Sequence, residues 1–333
     1  MSRPSAAAPA LSIVIPAPAD AAALEATLVS VLENRPPDCE VVVPLGFAYD
    51  DRWGIADEVR LVTAPSDSGV AACANVGIAA SAAPLVHVLA AGWLATPGWT
   101  EQPLDLFGDS RVQAVVPVGM TGDAIVSAGV RLSRGGRRMA VVPTRRAVRD
   151  GRLDSRRVRP AAPMLEAGFW RADVIKTVGP GFATCCGDWL ADADMAAALA
   201  CLPGRVEVAP ESRVVCGAGG TRPRPFAAGL HAERLFWRSL GRGGLATALV
   251  AHAVEIVRDA VMSAPLGTLP MLLGRTVALL QAGDFAARFA RLRSLRGTPA
   301  AVPEGTLRID AAHAIPARPR LRPHDAAPLK RSA

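Results

Sequence analysis

The chain has 333 residues, half of them hydrophobic, and a formal net charge of +7 at pH 7. A chain with that apolar content can bury a sizeable core, which favours a globular protein over an intrinsically disordered one. Its six cysteines form no C-x-x-C pair and match no zinc-site spacing, which favours buried, reduced thiols over a zinc framework.

The N-terminal segment and the longest apolar stretch bear on where the protein acts. The first ten residues are rich in Ala, Pro and Ser and contain no apolar core of the kind that a signal peptide carries. The best candidate for a membrane span, residues 245–280, is interrupted by charged residues and prolines before it reaches the ~20 apolar residues required. The sequence therefore predicts a cytoplasmic protein, with peripheral contact at the inner membrane face left open.

Short apolar segments alternate with helical patterns over the first 120 residues. The predicted strands are residues 11–15, 40–43, 59–62, 84–89 and 112–118. Helices are predicted after the first strand, where apolar residues recur at i, i+4, i+7 and i+8, and after the third, at residues 68–80. This alternation is typical of an open, doubly wound parallel sheet, which binds ligands at the carboxyl ends of its strands.

The second part of the chain is less regular. Residues 122–160 are rich in Gly and Arg and lack helical periodicity, so we interpret them as a long loop or a β-excursion from the sheet. A helix at residues 190–202 and a strand at 205–208 restore the α/β pattern, and residues 226–295 are mostly helical.

Six short motifs follow one another in an order that carries a family resemblance. The first strand runs into Pro16 and a helix, and residues 67–77 keep Gly69, Asn75 and Gly77 of an N-x-G-x-x-x-A-x-N-x-G segment. The other motifs are an apolar central strand at 85–89, Pro-Gly-Trp at 97–99, Gly-Pro-Gly-Phe at 179–182 and Ala-Asp-Ala-Asp-Met at 191–195. In this order they resemble the family 2 glycosyltransferases over residues 11–221.

The resemblance implies a fold and a division of the chain. The implied fold is α/β of the GT-A type, an open, mostly parallel twisted sheet with helices on both faces, followed by a C-terminal helical region. The implied division is a glycosyltransferase-like domain at residues 11–221 followed by a helical region at 222–296. Composition adds a flexible N-terminus at residues 1–10 and a Pro/Arg-rich disordered tail at 297–333.

Matching the motifs places six residues on the donor side of the site: Pro16, Gly46, Gly69, Asn75, Ala90 and Gly92. The family's metal-binding Asp-x-Asp here reads Ala-Ala-Gly at residues 90–92, without a side-chain oxygen. The acids that hold the nucleotide after the second strand are replaced, and Asp50 and Asp51 follow out of register. The family's metal-binding His falls at Cys216, a poor ligand for hard cations. We therefore expect no cofactor and no divalent metal, with a nucleotide sugar as substrate.

Three residues are expected on the acceptor side. Asp192 matches the family's catalytic base, and the alternative is a simple helix cap, because Asp is common there. Trp189 would either stack on a sugar or be a partly buried core residue. Asp194 would contact the acceptor or serve as a first-turn acid of the helix.

Arginine accumulates in one stretch of the sequence. From Arg131 to Arg159 there are eleven Arg against two Asp, an excess of 11 − 2 = +9 that is larger than the net +7 of the whole chain. Three interpretations stay open: binding of nucleic acid, binding of anionic lipid or a phosphorylated donor, and a solvated surface. Because the stretch has no Phe, Trp or Tyr, nucleic acid is the partner we expect least.

Three functions follow from these observations. The first is inverting transfer of a sugar from a nucleotide-sugar donor to a glycan or lipid-linked acceptor, without the usual Asp-x-Asp metal site. The second is a catalytically inactive domain that binds a sugar, a nucleotide or a protein partner. The third is a basic protein that binds nucleic acid or lipid. The replaced acids at residues 90–92 leave catalytic activity undecided at the level of sequence.

Overall fold

The computed structural model of the protein describes residues 8–149, 151–217, 223–240 and 244–297. Most of the predicted N-terminal segment, nearly all of the predicted tail and the predicted boundary between residues 221 and 222 lie outside these ranges. The predicted division into domains therefore stays a prediction.

The described chain alternates strands and helices and then becomes helical. The strands are β1 Leu11–Val14, β2 Cys39–Leu45, β3 Arg60–Thr63, β4 Leu85–Leu89, β5 Leu94–Ala95, β6 Val112–Thr121, β7 Ala124–Ser127, β8 Val130–Leu132, β9 Arg138–Ala140, β10 Val148–Arg149, β11 Arg152–Leu153, β12 Ala167–Arg171 and β13 Arg205–Val215. The helices are α1 Ala21–Asn34, α2 Val70–Ala80, α3 Glu101–Leu106, α4 Ala172–Val178, α5 Asp188–Leu199, α6 Pro225–Ser239, α7 Leu245–Met262, α8 Thr268–Leu279 and α9 Ala282–Gly297.

The main sheet has the strand order β3-β2-β1-β4-β12-β6-β13-β5, with β7 paired to β6. Strands β3, β2, β1 and β4 are parallel to one another, and β6 is parallel to β13. Strand β12 lies between β4 and β6 and is antiparallel to both. The predicted fold class, a mostly parallel twisted α/β sheet with a helical region after it, is confirmed.

The central strands are apolar because both faces of the sheet are covered. Every residue of β1 and β4 is buried. Neighbouring residues of β1 enter opposite cores: Ile13 packs with Leu24 and Leu28 of α1, whereas Val14 packs with Ala74 and Ile78 of α2. The alternation of side chains along a strand thus fixes which helix covers which face.

Residues 122–160 form the β-excursion. Strand β7 extends the main sheet beside β6, and β8–β9 and β10–β11 form two small antiparallel hairpins. The main chain of Val130 bonds to that of Ala161 and Ala162, which returns the excursion to the sheet just before β12. Strand β8 is thereby brought beside α5, and Arg138 of its partner β9 reaches Asp192 of that helix.

The C-terminal helices pack closely on one another. Helices α6 and α8 cross where a Cβ on Gly229 would overlap the main chain of Met271, and a Cβ on Gly274 would overlap that of Phe226. Glycine at both positions allows this close approach. No helix in the described part of the chain combines the length and the apolar character needed to cross a membrane.

Candidate functional site

The carboxyl ends of β1 and β4 meet through main-chain hydrogen bonds. The Ala91 N–H donates to the carbonyl of Pro16 at 3.1 Å. The Gly92 N–H donates to the Thr27 hydroxyl at 2.8 Å and to the Ala23 carbonyl at 3.0 Å, both on α1. Gly92 has a φ of +92°, a left-handed conformation that favours glycine. The predicted donor-side residues at these strand ends therefore lie together.

The end of β2 joins the same edge of the sheet. The Gly46 N–H donates to the Ala17 carbonyl at 2.9 Å, and a Cβ on Gly46 would lie 2.7 Å from the Pro18 carbonyl oxygen. Glycine is thus needed at residue 46 for a close approach of two main-chain segments. The three strand ends form one continuous main-chain wall, as expected for the ligand edge of such a sheet.

Asp50 and Asp51 are engaged locally in the loop after β2. The Asp51 carboxylate accepts hydrogen bonds from the Ile55 and Ala56 amides at 2.8 and 3.0 Å, and the Ala56 amide is the main cause that lowers its pKa. Asp50 forms an exposed pair with Arg52 at 2.8 Å. In this arrangement neither acid takes the place of the missing nucleotide-binding pair.

Gly69 and Asn75 join α2 to the segment that leads into α5. The Asn75 side chain donates to the Phe182 carbonyl at 2.9 Å and accepts from the Phe182 amide at 2.7 Å. A Cβ on Gly69 would overlap the Asp188 carboxylate, which accepts from the first amides of α2, those of Val70 and Ala71, at 2.9 Å each. Both residues thus have structural contacts, and their role in donor binding stays a prediction.

Asp192 lies inside α5 and is almost completely buried, with 1% of its surface exposed. The Arg138 guanidinium donates to its two oxygens at 2.8 and 2.6 Å, and the Leu165 amide donates to one of them at 3.3 Å. The interpretation of Asp192 as a helix cap is wrong, because α5 begins at Asp188 with Gly187 at the capping position.

Arg138 also contacts Trp189, the second acceptor-side residue. The guanidinium carbon lies 5.3 Å from the centre of the indole ring, within cation–π range. Trp189 is 45% exposed, so the interpretation as a partly buried core residue gives way to a ring that is open to solvent on one side. Arg138 thus links a buried acid to an exposed aromatic surface.

Asp194 is buried between two arginines from the C-terminal helices. Arg238 of α6 and Arg288 of α9 each donate to its carboxylate at 2.8 Å. Asp194 is 3% exposed. These contacts fasten α6 and α9 to α5, and they do not support direct contact between Asp194 and an acceptor.

Glu166, which the sequence motifs do not include, lies at the end of β4. Its carbonyl accepts from the Ala90 amide at 2.8 Å, because β12 runs antiparallel to β4. Its Oε2 atom is shielded from solvent and has no hydrogen-bond partner among the described residues. Burial, followed by repulsion from Asp192, raises the pKa of Glu166 to about 7, while Arg138 opposes the increase. A carboxyl in this state can accept or release a proton near neutral pH.

The end of β13 closes the site beside Glu166. A Cβ on Gly217 would lie 2.7 Å from the Gly92 carbonyl oxygen, so the end of β13 packs against the segment after β4. Burial, and to a smaller extent the charge of Glu166, raises the pKa of the Cys216 thiol to about 11. Cys216 therefore stays a neutral thiol at physiological pH and offers no charged ligand.

Part of the arginine-rich stretch is folded into ion pairs. Arg137 pairs with Glu255 at 3.1 Å and Arg138 with Asp192, whereas Arg157 forms an exposed pair with Asp154. The interpretation of the stretch as a solvated surface is wrong for Arg138, because its side chain is only 9% exposed. Binding of nucleic acid or lipid by the other arginines stays a prediction.

Solved structures share this fold at low sequence identity, whereas no protein-family model and no curated protein matches the sequence. The chain is similar to mannosyltransferase PcManGT from Pyrobaculum calidifontis in complex with GDP-Man and Mn2+, with 15% identity and a TM-score of 0.50 over 87% of this chain and 88% of that chain. It is similar to S. aureus TarS 1–349 in complex with UDP-GlcNAc, with 15% identity and a TM-score of 0.54 over 86% and 83%. It is also similar to GalNAc-T7 with UDP, GalNAc and Mn2+, with 13% identity and a TM-score of 0.53 over 75% and 55%.

These similarities correct the expectation about metals and define the fold. The expectation that a divalent metal plays no part is wrong for proteins of this kind, because the PcManGT and GalNAc-T7 structures contain Mn2+. The side chains at residues 90–92 do not fit such an ion, and the described part of the chain has no group of three or more His, Cys, Asp or Glu placed to hold one. The fold of this chain is that of the GT-A-type glycosyltransferases.

Proposed function

We propose that this chain is an inverting glycosyltransferase, which moves a sugar from a nucleotide-sugar donor to a hydroxyl group of a glycan or lipid-linked acceptor. The donor class is supported by similar structures that contain GDP-Man and UDP-GlcNAc. The observation that carries the proposal is the carboxyl of Glu166 at the end of β4, shielded on one oxygen and unpartnered there among the described residues.

Inverting transfer requires a base on the acceptor side. The acceptor oxygen attacks C1 of the donor sugar, and the bond from C1 to the diphosphate oxygen breaks with its electron pair going to the diphosphate. The hydroxyl proton passes to a carboxylate. Two carboxylates are candidates for this role: Asp192, by its motif position, and Glu166, by its geometry.

The geometry favours Glu166 as the base. Both oxygens of Asp192 accept hydrogen bonds from Arg138, and the residue is only 1% exposed, so an acceptor hydroxyl cannot reach them in this arrangement. The pKa of Glu166, raised to about 7, matches a base that works near neutral pH. We therefore assign the base to Glu166 and keep Asp192, which holds Arg138 in place, as the alternative.

The donor would lie along the main-chain wall at the strand ends. We keep Pro16, Gly46, Ala90 and Gly92 as donor-side residues, since they meet at the ends of β1, β2 and β4. Trp189 would offer its exposed face to the acceptor, because sugars stack on aromatic rings and Arg138 holds the indole from one side.

A second candidate function is a catalytically inactive domain that binds a nucleotide sugar. It is favoured by the lack of side-chain oxygens at residues 90–92 and by the engagement of both Asp192 oxygens with Arg138. Such a domain would bind a donor without releasing its diphosphate. Binding and release must therefore be measured separately.

Calorimetric titration with UDP-GlcNAc and GDP-mannose, each with Mn2+ and with a chelator, tests the donor class. Saturable binding of either donor supports both candidate functions, and the paired conditions show whether Mn2+ takes part. A Gly46→Val variant is expected to lose binding, because its side chain would enter the main-chain wall. An exposed control, Gly283→Ala, has no neighbour within 4 Å of its Cβ position and, like Gly46, no positive φ, so it should bind the donors as the unchanged protein does. Lack of binding to both donors under all conditions would refute the proposed donors.

A further inference from the structure

The outer surface of α7 and α8 has an unusual concentration of exposed apolar side chains. Thirteen of the nineteen large hydrophobic residues exposed in the described chain lie between residues 245 and 280. On each helix they recur with the spacing of one helical face. This surface, the α7–α8 face, is represented by Val250, Val254, Val257, Val261, Leu269 and Leu273.

The charged residues of the same helices, apart from Arg258, make their contacts on the protein side. His252 and Arg275 contact Glu233 of α6 at 3.0 and 2.7 Å, and Arg275 also contacts Asp259 at 2.6 Å. These groups are held in a network on the inner side of α7 and α8. The two helices are therefore amphipathic in the opposite sense to ordinary surface helices, which turn their apolar stripe toward the core.

Few polar groups remain on the outside of the α7–α8 face. Among the exposed residues from 244 to 280, the only charged one is Arg258, whereas an ordinary protein surface has about 25–35% charged residues. A second cation, the exposed Arg134, borders a cavity of about 520 Å³ with Leu245 and Thr247 at the start of α7. Arg258 pairs with Glu255 and Asp259 at 3.3 Å each, so Arg134 is the exposed cation at this surface that has no acidic partner among the described residues.

The composition of the α7–α8 face fits lipid better than another protein. Specific protein interfaces concentrate their binding energy in Trp, Tyr and Arg and form about one hydrogen bond per 100–200 Å². The exposed large side chains between residues 245 and 280 are aliphatic, and the exposed hydroxyls there are those of Thr247 and Thr276. Acyl chains require no hydrogen bonds, and helices that lie in the plane of a bilayer insert ~5–10 Å of their apolar face.

We propose that the α7–α8 face docks the protein on the surface of a bilayer that contains anionic lipid. The two helices lie parallel to the membrane plane, with Val254 and Leu273 among the acyl chains and Arg134 at the level of the headgroups. Anionic lipid adds attraction to each cation near the surface. This inference is independent of the proposed function, since it uses no residue of the strand-end site.

Flotation with vesicles of 70% phosphatidylcholine and 30% phosphatidylglycerol tests the docking surface. The unchanged protein is expected to float with them, and less with pure phosphatidylcholine. Val254→Glu with Leu273→Glu should lower the vesicle partition coefficient at least tenfold, because two charges would enter the acyl region. Val29→Glu, a matched control on α1 with 57% exposure against 62% and 55%, should leave it unchanged.

Two further measurements keep the test decisive. Arg134→Glu should reduce flotation on the anionic vesicles and leave it unchanged on pure phosphatidylcholine. If the double Glu variant loses its circular-dichroism melting transition, Val257→Ser with Leu269→Ser replaces it. Failure of the unchanged protein to float would overturn the proposal. So would a dimer seen by light scattering that the Glu substitutions dissociate without affecting flotation, since the face would then bind a second copy.

Discussion

Arg138 and Asp192 form a buried ion pair, with two hydrogen bonds of 2.8 and 2.6 Å and side-chain exposures of 9% and 1%. The arginine belongs to β9 of the excursion and the aspartate to α5, so one pair fastens the excursion to the sheet-covering helix. Asp192, which its motif position indicates as the base, is thus already hydrogen-bonded through both oxygens to Arg138. Glu166 is consequently the carboxyl in this cluster with an unpartnered, shielded oxygen.

Replacing only the arginine of the Arg138–Asp192 pair should destabilise the protein strongly. Arg138→Met leaves an uncompensated buried carboxylate, and we expect a loss of about 3–5 kcal/mol in the free energy of unfolding. Combining it with Asp192→Leu should cost less than Arg138→Met alone, since no buried charge remains. Urea unfolding measures both.

Arg157→Met, in an exposed pair with Asp154, is the control and should change stability by less than about 1 kcal/mol. Equal losses for Arg138→Met and Arg157→Met would show that the buried pair has no special role.

The raised pKa of Glu166 should appear in the pH dependence of stability. The folded protein binds the Glu166 proton up to a pKa of about 7, whereas the unfolded chain releases it near its ordinary value of 4.5. The folded state therefore holds more protons between these values, and the free energy of unfolding falls as the pH rises through that window. Glu166→Gln should remove this part of the fall, as chemical denaturation from pH 4.5 to 8 would reveal. Glu207→Gln, on β13 of the same sheet, is the control. Parallel curves for the unchanged protein and Glu166→Gln would contradict the raised pKa.

Asp188 caps α2 from a distant part of the sequence, and Gly69 lies against its carboxylate. Substitutions at these two residues should therefore affect each other. Asp188→Ala removes the acceptor for the first amides of α2 and should cost about 1 kcal/mol, like Asp20→Ala at the ordinary cap of α1. Gly69→Ala should be destabilising because its Cβ would overlap the Asp188 carboxylate. In the Asp188→Ala background that penalty should largely disappear. A double-mutant cycle by thermal unfolding measures the coupling, and strictly additive effects would mean that the two residues do not meet.

The cysteines should differ in reactivity. Cys185 is exposed, and a hydrogen bond from Cys186 lowers its pKa to about 6, so it is largely thiolate at pH 7. Burial raises the pKa of Cys73 and of Cys216 to about 11. Brief labelling with iodoacetamide at pH 7, followed by peptide mass spectrometry, should therefore modify Cys185 first. Labelling in 6 M guanidinium is the control, under which the selectivity should vanish. Faster modification of Cys216 in the folded protein would contradict the packing of the end of β13 against the segment after β4.

Local patterns in the sequence were sufficient for much of the fold. The apolar strands and the amphipathic α1, capped by Asp20 as expected, follow from residue periodicity and turn chemistry. The position of β12 does not, because an antiparallel strand between β4 and β6 depends on pairing between residues about 80 positions apart. That strand brings Glu166 to the end of β4.

The candidate site was only partly predictable for the same reason. The strand-end residues Pro16, Gly46 and Gly92 lie where the alternation of strands and helices indicates. Glu166 had one signal, a lone acid within an apolar segment, and no motif marks it. Arg138 was hidden among ten other arginines, because only the packing of β9 on α5 distinguishes a buried guanidinium from solvated ones.

Release of nucleoside diphosphate from UDP-GlcNAc and GDP-mannose is the most direct test of the central claim that Glu166 serves as the base of a sugar transfer. It should be measured with and without Mn2+ for the unchanged protein, Glu166→Gln, Asp192→Asn and the control Glu207→Gln. The unchanged protein and Glu207→Gln are expected to release the diphosphate, at a rate that increases toward a plateau above a pH of about 7. For Glu166→Gln we expect the rate of release to fall by about 10²–10⁴-fold without loss of donor binding. Full activity of Glu166→Gln together with an inactive, folded Asp192→Asn would contradict the claim and return the base to Asp192.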